Sequence, residues 1–240
     1  MKTVFRPALI IRFISMFRRC SIAISLLLGA AAAVMGQELA PTAILGRVQN
    51  GYYFAPNGAY RIALPIVPAF GGMISDTPDV ATFHDDFTHI SIAAIPQDMT
   101  EKWRLQSDGP KRYLQDYFRR LVWAQFLRSN PKATCEPDAI FNPGAFGGTF
   151  IAFVLLPGGS MFDDPALRLA PETTPPVAKR GNMLFVKNGY IFVISSELGQ
   201  RVTEGSAYTL TSKQEDRLLR DQLFDIAAKI QFTMRPSSDD

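Results

Sequence analysis

The only two histidines of the chain, His84 and His89, lie five residues apart with two aspartates between them. The apolar residues on either side alternate with polar ones, which predicts two strands of a β-hairpin. A four-residue loop from Asp85 to Thr88 would place the imidazoles opposite each other, with Cβ atoms about 5 Å apart. Two imidazoles and a carboxylate are ligands that a divalent metal ion accepts. The spacing therefore predicts a candidate metal site of His84, Asp86 and His89.

The same residues have a second interpretation as an ordinary turn. If the turn consists of Asp85 and Asp86 alone, His84 pairs with Phe87 and the two histidines separate. The aspartates of an exposed turn bond to nearby backbone amides and need no ligand. The sequence leaves both registers open.

Motifs of nucleophilic and cofactor chemistry are absent from the sequence. It contains no Gly-x-Ser-x-Gly, no phosphate-binding loop, no dinucleotide fingerprint and no paired-cysteine metal motif. Cys135 is the one cysteine outside the N-terminal leader, and no basic partner for it is evident. The 22 acidic residues permit many carboxylate pairs, none of which is singled out. We therefore expect a non-enzymatic protein without a cofactor and assign no catalytic residue.

The segment from Pro157 to Arg180 is a long connection with five prolines and no periodic pattern. Loops of this length in a folded domain are often functional. Its apolar residues could form a partner-binding surface, or they could simply pack on the domain. These residues are Met161, Phe162, Leu167 and Leu169.

The elements that position these residues follow the order strands, helix, strands, helix. Apolar alternation and turn residues predict strands at 52–54, 60–64, 80–84, 88–95, 149–156, 183–187 and 190–195. Asn188-Gly189 is typical of the tight type I′ turn of a hairpin. Short connections imply antiparallel pairing. The predicted fold is therefore α+β, an antiparallel sheet covered by two main helices.

Two amphipathic helices supply the covering layers. The first is predicted to begin at an Asp108 N-cap with Pro110 in its first turn, and to bury the stripe from Tyr113 to Phe126. The second is predicted to begin with a capping box of Ser212 and Glu215. Its stripe runs from Leu219 to Ile230.

The N-terminus resembles an export signal. Arginines precede the apolar run Ser21–Val34, and the small-residue pattern Val34-Met35-Gly36 places cleavage before Gln37. The run has 14 residues, whereas a spanning helix needs roughly 20, so cleavage is favoured over a membrane anchor. Translation could start at Met1 or at Met16. The expected location is periplasmic or extracellular, with membrane contact only through an uncleaved leader.

The positive net charge of the chain, +3, comes from this leader. Five of the 25 basic residues lie in the first 36 positions, so the remainder carries 20 basic and 22 acidic residues. A net negative mature chain argues against nucleic acid as a partner.

Three segments together resemble the PsbP-like family, which includes the Ran-binding Mog protein. They are GYYFAPNGAYRIALP, FHDDFTHISIAAIP and FVKNGYIFVISSE, and the resemblance spans roughly residues 50–232. It implies an α/β/α sandwich on an antiparallel sheet and a binding or assembly role, and it carries over no catalytic residue. The 157–180 segment is longer than is usual in that family.

The expected layout is a signal peptide at 1–36, a lead-in at 37–49, one domain at 50–232 and a flexible tail at 233–240. The expected function is an exported binding or assembly module for an unknown protein or small ligand. The alternative is a small metal-binding protein or metal-dependent enzyme built on His84, Asp86 and His89.

Overall fold

The computed structural model describes residues 44–162, 176–204 and 207–234. The predicted leader and the end of the tail lie outside these ranges. Within them the chain forms two antiparallel sheets and helices that cover the larger sheet, which confirms the predicted α+β class.

The elements are numbered in chain order. The strands are β1 (Arg47–Gln49), β2 (Tyr52–Phe54), β3 (Tyr60–Ala63), β4 (Met73–Asp76), β5 (Val80–His84), β6 (His89–Pro96), β7 (Thr134–Cys135), β8 (Ile140–Asn142), β9 (Thr149–Pro157), β10 (Val177–Lys187), β11 (Tyr190–Glu197) and β12 (Ile230–Phe232). The helices are α1 (Met99–Tyr117), α2 (Ala124–Ser129), α3 (Gln200–Thr203) and α4 (Ser212–Lys229), and a π-helical segment (Phe118–Trp123) joins α1 to α2.

The large sheet has the strand order β4-β5-β6-β11-β10-β9-β7, with β8 also pairing β9. Its central strands are apolar on both sides because helices or strands cover both faces. The Asn188-Gly189 turn joins β10 to β11 as predicted, and both turn residues have positive φ. Strands β9 and β11 belong to one sheet, as the sequence predicts.

One face of the large sheet is covered by α1, the π-helical segment and α2. The predicted stripe is buried there through Tyr113, Leu114, Tyr117, Phe118 and Phe126. The helix begins earlier than predicted, at Met99, where the Asp98 side chain accepts a hydrogen bond from the Glu101 amide. It breaks at Gly109, whose φ is 72°, immediately before Pro110. The predicted start therefore corresponds to this break.

The opposite face is covered by α4 and by a small sheet of order β1-β2-β3-β12. Gly181 lets α4 lie close to β10, because a Cβ there would lie 2.9 Å from Leu223 Cδ1. Lys179 is fully buried beside it and forms ion pairs with Glu136, Glu215 and Asp216. Lys179 and Gly181, at alternate positions of β10, thus both face α4. Gly181 has no side chain, and the charge of Lys179 is paired.

The predicted capping box of α4 is corrected. It consists of Thr211 and Gln214, whereas Ser212 and Glu215 were predicted. Glu215 lies one residue beyond the N3 position of the cap. It is buried and accepts hydrogen bonds from Tyr208, Arg201 and Lys179.

Five short strands were not predicted. They are β1 in the segment interpreted as a lead-in, β4 in a Pro- and Gly-rich stretch, β7 and β8 between the helical layer and β9, and β12 directly after α4. In the parts of the chain that the structure describes, no helix is both long and apolar enough to cross a bilayer.

Candidate functional site

A cavity of about 430 Å³ lies between the large sheet and its α1–α2 layer. Its walls are mostly apolar, and the charged side chains of Asp79, Asp98, Glu101 and Arg120 also line it. The sheet contributes Val80, Ala93, Ile95, Ile191 and Val193, and the helical layer contributes Tyr117, Leu121, Val122 and Phe126. This face of the sheet is therefore only partly filled by the helix that covers it.

The π-helical segment forms part of the roof. A π turn widens the helix and changes the direction of the side chains that follow. Leu121 and Val122 lie within this segment and line the cavity while remaining half-buried. Single π turns inside α-helices occur frequently at functional sites.

Polar side chains occupy one end of the cavity floor in two rows. The first row crosses four strands through Thr82, Ser91, Ser195 and Asn182, which are successive cross-strand partners. The hydroxyls of Thr82 and Ser91 are 3.1 Å apart, and Ser195 donates to Asn182 Oδ1 at 2.8 Å. Ser91 and Ser195 line the cavity.

The second row contains the charged groups. Arg180 and Glu197 are cross-strand partners, both almost fully buried, and Arg180 Nε donates to Glu197 Oε2 at 2.9 Å. Arg180 also donates to the carbonyl of Gly159 at 3.0 Å. Glu197 accepts hydrogen bonds from the Ser160 hydroxyl and the Met161 amide. The buried pair thus holds the start of the 157–180 segment on the sheet, and Arg180 lines the cavity.

His89 lines the same end of the cavity and is only 4% exposed. Burial, the nearby positive charge of Arg180 and the neighbouring His84 lower the pKa of His89 to about 3. Nε2 is buried without a hydrogen-bond partner among the described residues. In a neutral imidazole this nitrogen carries either a lone pair or an N–H group, according to the tautomer.

The structure fixes the register that the sequence left open. Asp85 to Thr88 form the four-residue loop, and His84 pairs directly with His89, with ring centroids 5.8 Å apart. Asp85 binds the amides of Val67 and Phe87 at 3.0 and 2.9 Å. Burial acts to raise the pKa of Asp85, but these backbone bonds outweigh it and lower the pKa below its ordinary value.

The third predicted metal ligand, Asp86, is exposed. Among residues 44–162, 176–204 and 207–234, no group of three His, Cys, Asp or Glu side chains is arranged to hold a metal ion. The two imidazoles therefore face each other without a third ligand from the described chain.

Two of the four predicted partner-surface residues are described. The ring of Phe162 lies 6.0 Å from that of His84 and packs against the backbone of Gly199. The Met161 amide bonds to Glu197. Leu167 and Leu169 lie outside the described residues. The start of this segment thus packs on the domain beside the cavity.

Cys135 lies at the surface at the end of β7. Partial desolvation and the adjacent Glu136 carboxylate raise the pKa of the thiol, which disfavours the thiolate needed of a nucleophile.

Sequence reasoning did not identify Arg180, Glu197, Ser91 or Ser195 as site residues. The signal is present in retrospect, because Ser195 and Glu197 interrupt an apolar strand at alternate positions and so share one face of the sheet. Which strands lie beside β11 is set by the tertiary structure, and the sequence does not state it.

Comparison with known proteins gives structural matches only. No family profile and no curated protein sequence matches the chain. The solved structure of the Ran-binding protein Mog1p of Saccharomyces cerevisiae is 13% identical, with a TM-score of 0.38, over 80% of this chain and 97% of that one. Cyanobacterial PsbP (CyanoP) of Synechocystis sp. PCC 6803 is 12% identical, with a TM-score of 0.44, over 81% of this chain and 100% of that one. The chain is similar to PsbP and Mog1 structures in fold, and this similarity carries nothing about ligand or partner.

Proposed function

We propose that this chain is an exported, non-enzymatic binding module whose cavity holds a small molecule with an apolar body and a hydrogen-bonding head group. The observation that carries the proposal is the cavity between the large sheet and α1–α2, which has apolar walls and a polar end formed by His89 and Arg180. Its volume of about 430 Å³ lies in the range of small-molecule sites.

The apolar walls favour a hydrocarbon or aromatic body. Val80 lies on β5, Ile191 and Val193 lie on β11, and Phe126 faces them from the helical layer. Removing apolar surface from water contributes about 25 cal/mol for each Å² buried. Most of the binding energy is therefore expected from this part of the ligand.

The polar end sets the chemistry of the head group. His89 Nε2 is buried without a described partner, so it favours a group that can donate a hydrogen bond to its lone pair or accept one from its N–H. Arg180 offers only donors, so it favours a group that also accepts. A hydroxyl, a protonated carboxyl or a primary amide meets both conditions. A carboxylate is disfavoured because Glu197 already neutralises Arg180.

A binding role fits the residues better than catalysis. The pKa of His89 is too low for a general base near neutral pH. The described residues around the cavity also lack a hydroxyl or thiol paired with a base. The predicted leader supports export, and a test of export is given in the Discussion.

The proposal is tested by adding octanol, octanoic acid or octane to the purified protein and measuring thermal stability and binding heat. Octanol is expected to raise the unfolding temperature more than octane at equal free concentration, because only octanol bonds to His89. Ala93→Leu should fill the floor of the cavity and abolish the shift. Ala63→Leu, on the small sheet, is the matched control and should retain it.

Two results would overturn the proposal. One is the absence of any saturable binding of the three probes. The other is an equal response of the wild type and Ala93→Leu, since binding would then lie elsewhere. His89→Leu distinguishes the hydrogen bond to the ligand head group from the apolar contacts of the cavity. It should remove the preference for octanol over octane while leaving octane binding intact.

A further inference from the structure

The small sheet carries an unusual row of side chains on its outer surface. Arg47 is the cross-strand partner of Phe54, Phe54 of Arg61, and Arg61 of Gln231, so the four residues cross all four strands in one line. The alternate residues of these strands, such as Tyr53 and Ile62, face inward and are fully buried. The row, named here the Arg–Phe–Arg row, is therefore the outward face of a sheet whose other side is core.

The two arginines of this row have no carboxylate partner. Both side chains are exposed, and neither forms an ion pair with a described residue, whereas Arg104, Arg120 and Arg180 all do. The Arg47 guanidinium lies 4.5 Å from the Phe54 ring centroid, and that of Arg61 lies 5.8 Å from the same ring. The aromatic ring holds both cations in place without neutralising them.

A groove of about 710 Å³ runs over this row. Its described lining includes both arginines and Phe54, with apolar or amide side chains from Leu45, Pro56, Phe232 and Gln231, and it contains no acidic residue. The chain without its leader has more acids than bases, so this groove has the opposite sign to the rest of the molecule.

We propose that the Arg–Phe–Arg row binds an extended acidic segment of a partner protein. Arg47 and Arg61 lie on β1 and β3, two strand spacings or about 10 Å apart. A peptide in the polyproline II conformation advances about 3.1 Å per residue with three residues per turn, so two carboxylates three residues apart lie on the same side and match this separation. Phe54 lies between the two arginines, so its ring contacts the part of the peptide between the two acids. The proposal is independent of the cavity on the other side of the large sheet.

The row favours a peptide over a nucleic acid. Nucleic-acid binding relies on many phosphate contacts, whereas this face offers two cations, and the chain beyond the predicted leader carries 20 basic and 22 acidic residues. Arg61 Nε donates to Gln231 Oε1 at 2.7 Å, and the amide of Gln231 suits a peptide backbone, which both donates and accepts.

The test measures fluorescence anisotropy of a labelled ten-residue peptide with glutamates three residues apart and leucines between them. A second peptide with glutamine in place of glutamate is the matched probe. The full-length protein is expected to bind the first peptide more tightly, and the affinity should fall as salt rises. Arg47→Gln and Arg61→Gln should each weaken binding about two- to five-fold. Arg112→Gln, an equal charge change on the exposed side of α1, should leave it unchanged.

Other outcomes would overturn the proposal. They are no binding of the acidic peptide by the wild type, equal weakening by Arg112→Gln, or tighter binding of a single-stranded oligonucleotide at the same salt. Phe54→Leu provides a second readout, since it removes the ring and keeps both charges. It should weaken binding of the leucine-containing peptide more than that of a glycine-containing one.

Discussion

At the scale of single residues, this protein places polar groups where its sheet would otherwise be apolar. Arg180, Glu197 and His89 are each at least 96% buried in the strands that line the cavity. Buried charge is costly unless it is paired, and here Arg180 and Glu197 neutralise each other. His89 avoids the same cost by remaining uncharged. The polar end of the cavity thus combines an ion pair with a neutral imidazole at neutral pH.

The depressed pKa of His89 predicts a specific dependence of stability on pH. Its folded-state pKa of about 3 lies below the ordinary value of 6.5. Between these values the unfolded chain binds a proton that the folded chain does not, so stability falls as pH falls from 6.5 towards 3. The contribution is roughly 1.4 kcal/mol for each pH unit. Urea unfolding at pH 7, 6, 5 and 4 measures this slope.

In His89→Gln the free energy of unfolding should depend less steeply on pH than in the wild type, by roughly 1.4 kcal/mol per pH unit over the same pH range. The charged and titratable groups facing His89, Arg180 and His84, remain in this variant. Ser91→Ala is the control, because it changes the same strand without removing a titratable group. Equal slopes of unfolding free energy against pH for the wild type and His89→Gln would contradict the prediction.

At the scale of elements, one glycine sets the distance between α4 and the large sheet. A Cβ on Gly181 would lie 2.9 Å from Leu223 Cδ1 and 3.2 Å from Leu219 Cβ. Gly181→Ala is therefore expected to lower the free energy of unfolding by about 1–3 kcal/mol through overpacking. Chemical denaturation of the variant measures the loss.

Gly144→Ala is the matched control for this substitution, since Gly144 is exposed and the nearest atom to the new Cβ would be Asn142 Oδ1, 3.5 Å away. The double variant Gly181→Ala with Leu223→Ala should lose less stability than the two single losses added together, because the second change opens space for the first. Strict additivity would show that the contact does not exist.

Local signals were enough to predict most elements. Asn188-Gly189 fixes its hairpin through the φ values that the turn requires, and the two helical stripes fix which faces are buried. The short strands were missed because two to four residues show too little alternation, even for β1 and β4, which pair with the next strand along the chain. For β12 the partner is also distant in sequence. β12 pairs with β3, so that Gln231 lies opposite Arg61 across 170 residues of chain. Three residues contain too little pattern to reveal such a partner.

The candidate site was predicted only in part for the same reason. His84 and His89 share one hairpin, so their pairing was one of two registers that the sequence allowed. His89 and Arg180 share the cavity only because β11 lies between β6 and β10. Strand order across a sheet is a property of the whole fold, and the alternation within one strand does not encode it.

At the scale of the whole molecule, the proposed export of the protein makes a direct prediction. Expression of the full chain with its own leader in a bacterial host should release a mature protein that begins at Gln37. Intact-mass measurement and N-terminal sequencing of the periplasmic fraction identify the cleavage site. Replacing Leu26 and Leu27 with arginines should interrupt the apolar run and retain the precursor in the cytoplasm. A wild-type chain that keeps residues 1–36 and stays in the cytoplasm would contradict export.

The large sheet divides the molecule into two compartments. The cavity lies on its α1–α2 side, whereas the Arg–Phe–Arg row belongs to the small sheet on the other side, behind a close-packed layer that includes Phe185 and Phe192. The two proposed ligands would therefore bind on opposite sides of one sheet without touching. We expect each to bind with the same affinity whether or not the other is present, and titration of the peptide with and without octanol measures this.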